Sequence, residues 1–334
     1  MSPRFALSLA LTLAAASAAS SAAPASRFYA AVSMTKAQKN SPTPLDSGLY
    51  LRQADGQWTN FGPRILGVTS LVMSPVNPAI LLLASADGVV RSTDGGHTWR
   101  KTTGWQVADV RTIVFDHANP AQAYAATAWG PLRSIDGGAS WQLAQQGLAR
   151  LYCQTIIADP AQGGRVLLGT EDGVYVSHDG AVTWQRTAFP AASVLRLAQS
   201  AAEPKLILAG TQGRGAWLSR DGGRTWTAAD PGSVTANLYA AAISPHTATQ
   251  LAVGGWEIGV RVSADGGRTW TDRTAGLPAK NVFVLAFDPD VKGRLWASTF
   301  EEGTYYSDDL GLTWHDGGLY GAYAFDLLFL PAVQ

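Results

Sequence analysis

Two carboxylates held about 5–10 Å apart can split a glycosidic bond, one donating a proton while the other attacks or activates water. Glu171, Asp172, Glu257, Glu301 and Glu302 are candidates for such work, each standing in a short turn between β-rich runs. Turns of the same kind carry Trp129, Arg214, Trp256 and Phe300, and the connections between units carry Trp105 and Arg111. Alternating rings and acids suit sugars, which stack on aromatics and hydrogen-bond to carboxylates. Trp, Tyr and Arg anchors equally suit a protein partner. Exposed turn acids are solvated by default, so their presence alone does not make an enzyme.

What places these residues together is a repeat. Six boxes of the form Ser-x-Asp-x-Gly-x-Thr-Trp begin at Ser92, Ser134, Ser177, Ser219, Ser263 and Ser307, spaced 42, 43, 42, 44 and 44 residues apart. Ser140 stands for Thr in the second, and Ala181 replaces the glycine of the third. A decayed seventh copy surrounds Asp55-Gly56-Gln57-Trp58, with Trp58 lying 41 residues before Trp99. Each unit reads as four short strands. Around the first full box these are Val68–Ser74, Ile80–Ser85, Val89–Ser92 and Thr98–Lys101, separated by turn residues. Four-strand units with a period near 42 residues specify the blades of an all-β, seven-bladed β-propeller.

Closure of the ring is also legible. The chain opens with three strands of a blade, Arg27–Ser33, Leu49–Gln53 and Gln57–Asn60, and ends with one more near Tyr323–Leu330. That last strand is expected innermost in the first blade, which removes sheet edges without a disulfide. Strand direction alternates, so turns one–two and three–four share one face with the boxes. Turns two–three and the blade-to-blade links share the other, which is the expected functional face. Its turns are Ala86-Asp87, Ala128-Trp129, Glu171-Asp172, Gln212 to Arg214, Trp256-Glu257 and Phe300 to Glu302. In the first blade the corresponding turn is a polar insert, Met34 to Ser47, with Lys36 and Lys39. The links add Arg64, Trp105, Asp109, Arg111, Arg150, Tyr152, Phe189, Asn237, Tyr239, Lys280, Asn281, Tyr320 and Tyr323.

Asp94, Asp136, Asp179, Asp221, Asp265 and Asp309 are expected to accept hydrogen bonds from their own turns. Glycines there permit positive φ. Trp99, Trp141, Trp184, Trp226, Trp270 and Trp314 open the outer strands and tuck into blade packing. One carboxylate per box is too few for calcium, so neither metal nor cofactor is expected.

This motif in this arrangement resembles the BNR/Asp-box propeller superfamily, over roughly residues 27–330. That superfamily includes sialidases, xyloglucanases, sortilin-type receptors and photosystem II assembly factors, so the resemblance implies the fold and leaves enzyme and binder both open. Regular boxes look most like the assembly-factor and xyloglucanase branches. Xyloglucanases pair two propellers around a cleft, whereas one is legible here. Sialidases begin with an Arg-Ile-Pro element; Arg64-Ile65-Leu66 lacks its proline, although Arg64 and Asp87 would match the carboxylate-binding arginine and the acid. Gly88 stands where an arginine often follows that aspartate, and Arg111, Arg150 or Arg214 with Tyr320 or Tyr323 would have to supply the rest. The assembly factors present a basic patch to a membrane-protein partner, and no such cluster is legible on the functional face.

Composition narrows the partners. The 334 residues hold 25 basic and 25 acidic side chains, so no single-sign field steers nucleic acid to the chain. Arg4, the apolar run Phe5 to Ala15 and the small residues after it read as a signal peptide over residues 1–23, leaving residues 24–334 as one domain. The run is too short for a membrane span. No cysteine near the cleavage region offers a lipid attachment point, and Cys153 lies in an apolar run as a buried, inert thiol. The reading is a monomeric, periplasmic or secreted, non-catalytic scaffold that binds a protein or glycan on the two–three-turn face. The alternative is a glycoside hydrolase, sialidase-like or β-glucanase/xyloglucanase-like, using Arg64, Asp87, Glu171, Glu257 or Glu301.

Overall fold

Apolar runs of five or six residues, broken by Asp-Gly and Asn-Pro turns, are too short for helices and fold back as antiparallel meanders. In the computed structural model they form seven four-stranded sheets. The structure describes residues 26–33, 47–65 and 67–332; the expected signal peptide and residues 34–46 of the polar insert lie outside the described residues. Numbered in chain order, blade 1 holds Arg27–Ser33 and blades 2 to 7 open with Val68–Met73, Val110–Phe115, Cys153–Ala158, Val194–Gln199, Ala240–Ile243 and Val282–Phe287. Blade 2 runs on through Leu81–Ser85, Gly88–Ser92 and Arg100–Lys101 from the centre outward. Second strands such as Leu81–Ser85, Val166–Thr170 and Leu295–Thr299 are buried along their whole length, whereas the two-residue outer strands are exposed. A second strand is covered on both sides by neighbouring blades, and an outer strand borders solvent. Seven apolar cores follow, one between each pair of adjacent blades.

The ring closes as the sequence predicts. Tyr323–Leu330 pairs antiparallel with Arg27–Ser33, from Arg27 opposite Leu330 to Ser33 opposite Tyr323, and is innermost in blade 1. Phe28 stacks on Phe329 at 4.2 Å. Outside the strand, the Ser26 backbone N–H donates to Asp290 in blade 7 at 2.7 Å.

All six boxes share one hydrogen-bond pattern. In blade 4 the Ser177 hydroxyl donates to Asp179 and accepts the Ala181 N–H, while Asp179 accepts the Thr183 N–H and hydroxyl. Desolvation pushes the Asp179 carboxyl up, but the Thr183 and Ser177 donors outweigh it and hold the group at about 2. Because Thr183 is held by the turn, the outer strand starts only at Gln185, after the tryptophan. Blade 2 likewise starts its outer strand at Arg100 rather than at the expected Thr98. The expectation that glycine supplies positive φ needs one amendment: Ala181 at 63° and Leu310 at 57° adopt it with side chains. That costs on the order of 1 kcal/mol each, and Ala181 is fully buried in the core between blades 3 and 4.

The tryptophans do more than fill space. Trp58, Trp184 and Trp314 donate their indole N–H to carbonyls of the preceding blade, at Gly317, Ala144 and Arg273, over 2.7–2.8 Å. Trp99, Trp226 and Trp270 instead bond their own box carbonyls at Gly96, Gly223 and Gly267. Trp141 does both, donating to the Thr102 hydroxyl of the preceding blade at 3.1 Å and to its own Gly138 carbonyl at 3.2 Å.

Candidate functional site

The innermost strands meet around the axis, and their pairing has a shared irregularity. In blades 2, 3, 4, 5 and 7 the register slips one residue after the strand begins, at Thr69, Arg111, Gln154, Leu195 and Phe283. In blade 1 the slip falls at Phe325, and Tyr239 holds the corresponding place just before the innermost strand of blade 6. A bulge leaves one residue unpaired and re-aims its side chain. All seven of these residues, with Thr112 and Arg196, line one cavity of about 210 Å³.

The cavity has two unlike halves. On blades 6, 7 and 1, aromatic rings touch in a continuous arc. Phe283 stacks on Tyr239 at 5.2 Å and on Phe300 at 5.6 Å, and meets Tyr323 at 5.1 Å. Trp256 meets Phe300 at 5.6 Å, and Tyr323 meets Phe325 at 5.4 Å. On blade 3, Arg111 donates to Asp109 at 2.7 Å and to the Tyr152 hydroxyl at 3.0 Å. Behind the bulges, Arg196 reaches across the axis to Asp326 at 2.6 Å, and the Ser70 hydroxyl donates to the other Asp326 oxygen at 3.2 Å. Asp326 is buried, so blades 1, 2 and 5 are tied together where the channel would otherwise run through.

The family model described as BNR/Asp-box repeat matches residues 305–316, the last box. The chain is a seven-bladed β-propeller that carries Asp-box repeats. No curated protein matches it in sequence. Among solved structures, a GH74 enzyme of Niastella koreensis aligns over 88% of this chain and 54% of its own, at 17% identity and TM-score 0.66. The GH74 xyloglucanase of Xanthomonas campestris aligns over 75% of this chain and 45% of its own, at 18% identity and TM-score 0.62. YCF48 bound to D1 peptide aligns over 75% of this chain and 81% of its own, at 16% identity and TM-score 0.56. The propeller therefore spans about half the length of those two GH74 enzymes. At such identities the likeness is one of fold.

Several residues nominated from sequence converge in the propeller and others do not. Trp256, Phe300, Tyr239 and Tyr323 join the aromatic arc, and Arg111 enters the cavity. Glu257 and Glu301 sit beside the arc at turn tips, both with positive φ near 60°, and Glu302 follows. Trp105 and Trp129 are exposed on blades 2 and 3, away from the arc, as is Arg214 on blade 5. Arg64 and Asp87 are exposed, and neither lines the axial cavity. Glu171 is exposed, while Asp172 accepts from the Thr170 and Tyr175 hydroxyls. Phe189 does not face solvent as its place in a link suggested; it is buried against Trp226 and Trp217. Burial, helped by the Glu171 and Asp172 charges, pushes the Cys153 thiol up to about 12, where it is not a nucleophile. Among the described residues no three His, Cys, Asp or Glu side chains are grouped to hold a metal.

Sequence reasoning missed Phe283, Phe325 and Arg196. Their signal was present: the bulge positions recur 42, 43, 41, 44, 44 and 42 residues apart, and read Thr, Arg, Gln, Leu, Tyr, Phe, Phe. Such variation inside otherwise apolar, repeated strands marks a position that is not core.

Proposed function

We propose that this propeller is a monomeric, non-catalytic scaffold, exported to the periplasm or beyond, that seats a protein or glycan partner in the axial funnel of the two–three-turn face. The observation that carries the reading is the lining of the cavity: Tyr239, Phe283 and Phe325, the inner rings of the aromatic arc, opposite Arg111 and Arg196, with no carboxylate among the lining residues. Rings and guanidinium groups are the anchors that interfaces favour, whereas hydrolysis of a glycoside needs a pair of acids there. YCF48, which shares the fold, has been solved with a bound peptide.

Peptide and glycan arrays probed with wild type, Trp256→Ala and Arg111→Gln test the reading. Both substitutions are expected to weaken the selected ligands at least about tenfold and to leave the unfolding midpoint nearly unchanged. Val76→Ala, on the opposite face, should bind as wild type does. Ligands indifferent to both funnel substitutions would refute the assignment, and turnover of fluorogenic sialosides or β-glucans above buffer would replace the scaffold with a hydrolase.

A further inference from the structure

A second cavity, of about 610 Å³, lies at the rim between blades 2 and 3 and is lined by Arg91, Arg100, Lys101 and the threonines 93, 98, 102 and 103, among others. Arg91 and Arg100 stand directly opposite each other in the register of the third and outer strands. Like charges at such a pair repel and destabilise the sheet. The equivalent pairs elsewhere are Arg133 with Gln142, Val176 with Gln185, Leu218 with Thr227, Val262 with Thr271 and Tyr306 with His315. Only blade 2 of these sets two cations opposite each other.

No ion pair among the described residues neutralises Arg91, Arg100 or Lys101, and no Asp or Glu lines the cavity. Among the described residues their one anchor is the Arg91 Nε, which donates to the Gly137 carbonyl of the next blade at 3.0 Å and so fixes the guanidinium at the cavity wall. Cations on an outer strand protect a sheet edge, which accounts for Arg100 and Lys101. It does not account for Arg91, one strand further in.

We infer that this groove binds a sugar bearing a tetrahedral oxyanion ester, a phosphate or a sulfate. The guanidinium groups of Arg91 and Arg100 supply forked donors that match such an oxyanion, and Lys101, also in the lining, adds a third charge. The Thr98 and Thr102 hydroxyl protons are taken by Asp94 and the Val89 carbonyl, and Thr103 accepts the Val89 N–H. Thr93 is thus the lining hydroxyl left to donate to the polyol, and the cavity is large enough for the carrier as well as the anion.

Calorimetric titration at low salt with glucose 6-phosphate, glucose 6-sulfate and glucose tests this on the full chain. Saturable binding by at least one ester, and none by glucose, is expected; which ester binds identifies the anion. Arg100→Gln/Lys101→Gln alters only exposed side chains, and should weaken binding at least about tenfold with its unfolding midpoint unchanged. Arg91→Lys keeps the charge but loses the fork, and should weaken binding less. The inference is overturned if neither ester saturates by about 10 mM, if glucose binds as tightly, or if the double variant keeps wild-type affinity.

Discussion

A chain ending at Ala322 is expected not to fold cooperatively, and a synthetic peptide spanning Tyr323 to Leu330 is expected to restore it in part. The deletion removes the innermost strand of blade 1, so the whole backbone edge of Arg27–Ser33 is left unpaired. It also opens the core between blades 7 and 1, where Ala324 and Leu327 are buried with Phe28, Val284 and Trp296, and Phe329 packs against them. Asp326 leaves too, and Arg196 then faces the axis alone. No disulfide substitutes for the lost pairing, since Cys153 is the only cysteine. Loss of the far-ultraviolet β signal and of a single unfolding transition would register the collapse. A truncated chain that melts as the full one does would contradict closure by this strand.

The second large effect concerns the pair inside the ring. Asp326→Ala should cost about 3–5 kcal/mol in denaturant unfolding, because removing one member of a buried pair strands the other charge. The value should fall toward the lower end, since the Arg196 side chain keeps 24% of its exposure and can recruit water. Asp326→Leu combined with Arg196→Met should recover most of the loss, as apolar groups of similar volume often replace a buried pair at little net cost. Equal losses in the single and double variants would mean that strand packing, and not charge pairing, is what Asp326 provides.

The ring could be read from sequence because its evidence is redundant: a tryptophan and an aspartate recur in every full unit at one spacing, and each tolerates a substituted neighbour, as Ala181 and Leu310 show. Strand ends were less legible. The box keeps its Thr inside the turn through the Asp carboxylate, which delays the outer strand to Arg100 in blade 2. The funnel was half legible. Turn residues such as Trp256 and Phe300 announce themselves by breaking a polar context, whereas Phe283 sits in Val282-Phe283-Val284-Leu285 and looks like core. Period-two alternation assigns side chains to faces only while pairing is regular, and the bulge at Phe283 breaks it. Arg196 and Asp326 escaped for a related reason. Each is one charged residue in an apolar strand, and only the closed ring puts them 2.6 Å apart.

A partner seated in the axial funnel would cover the two–three turns and links around it. Hydrogen–deuterium exchange of the propeller, with and without a saturating array-selected ligand, reports that directly. Exchange should slow at residues 237–239, 255–258, 281–284 and 299–303, where turn amides such as those of Trp256 and Phe300 bond to the links at Asn237 and Asn281. Slowing confined to the box turns, for example residues 263–270 and 307–314, with the funnel unchanged, would place the partner on the wrong face and end the proposal.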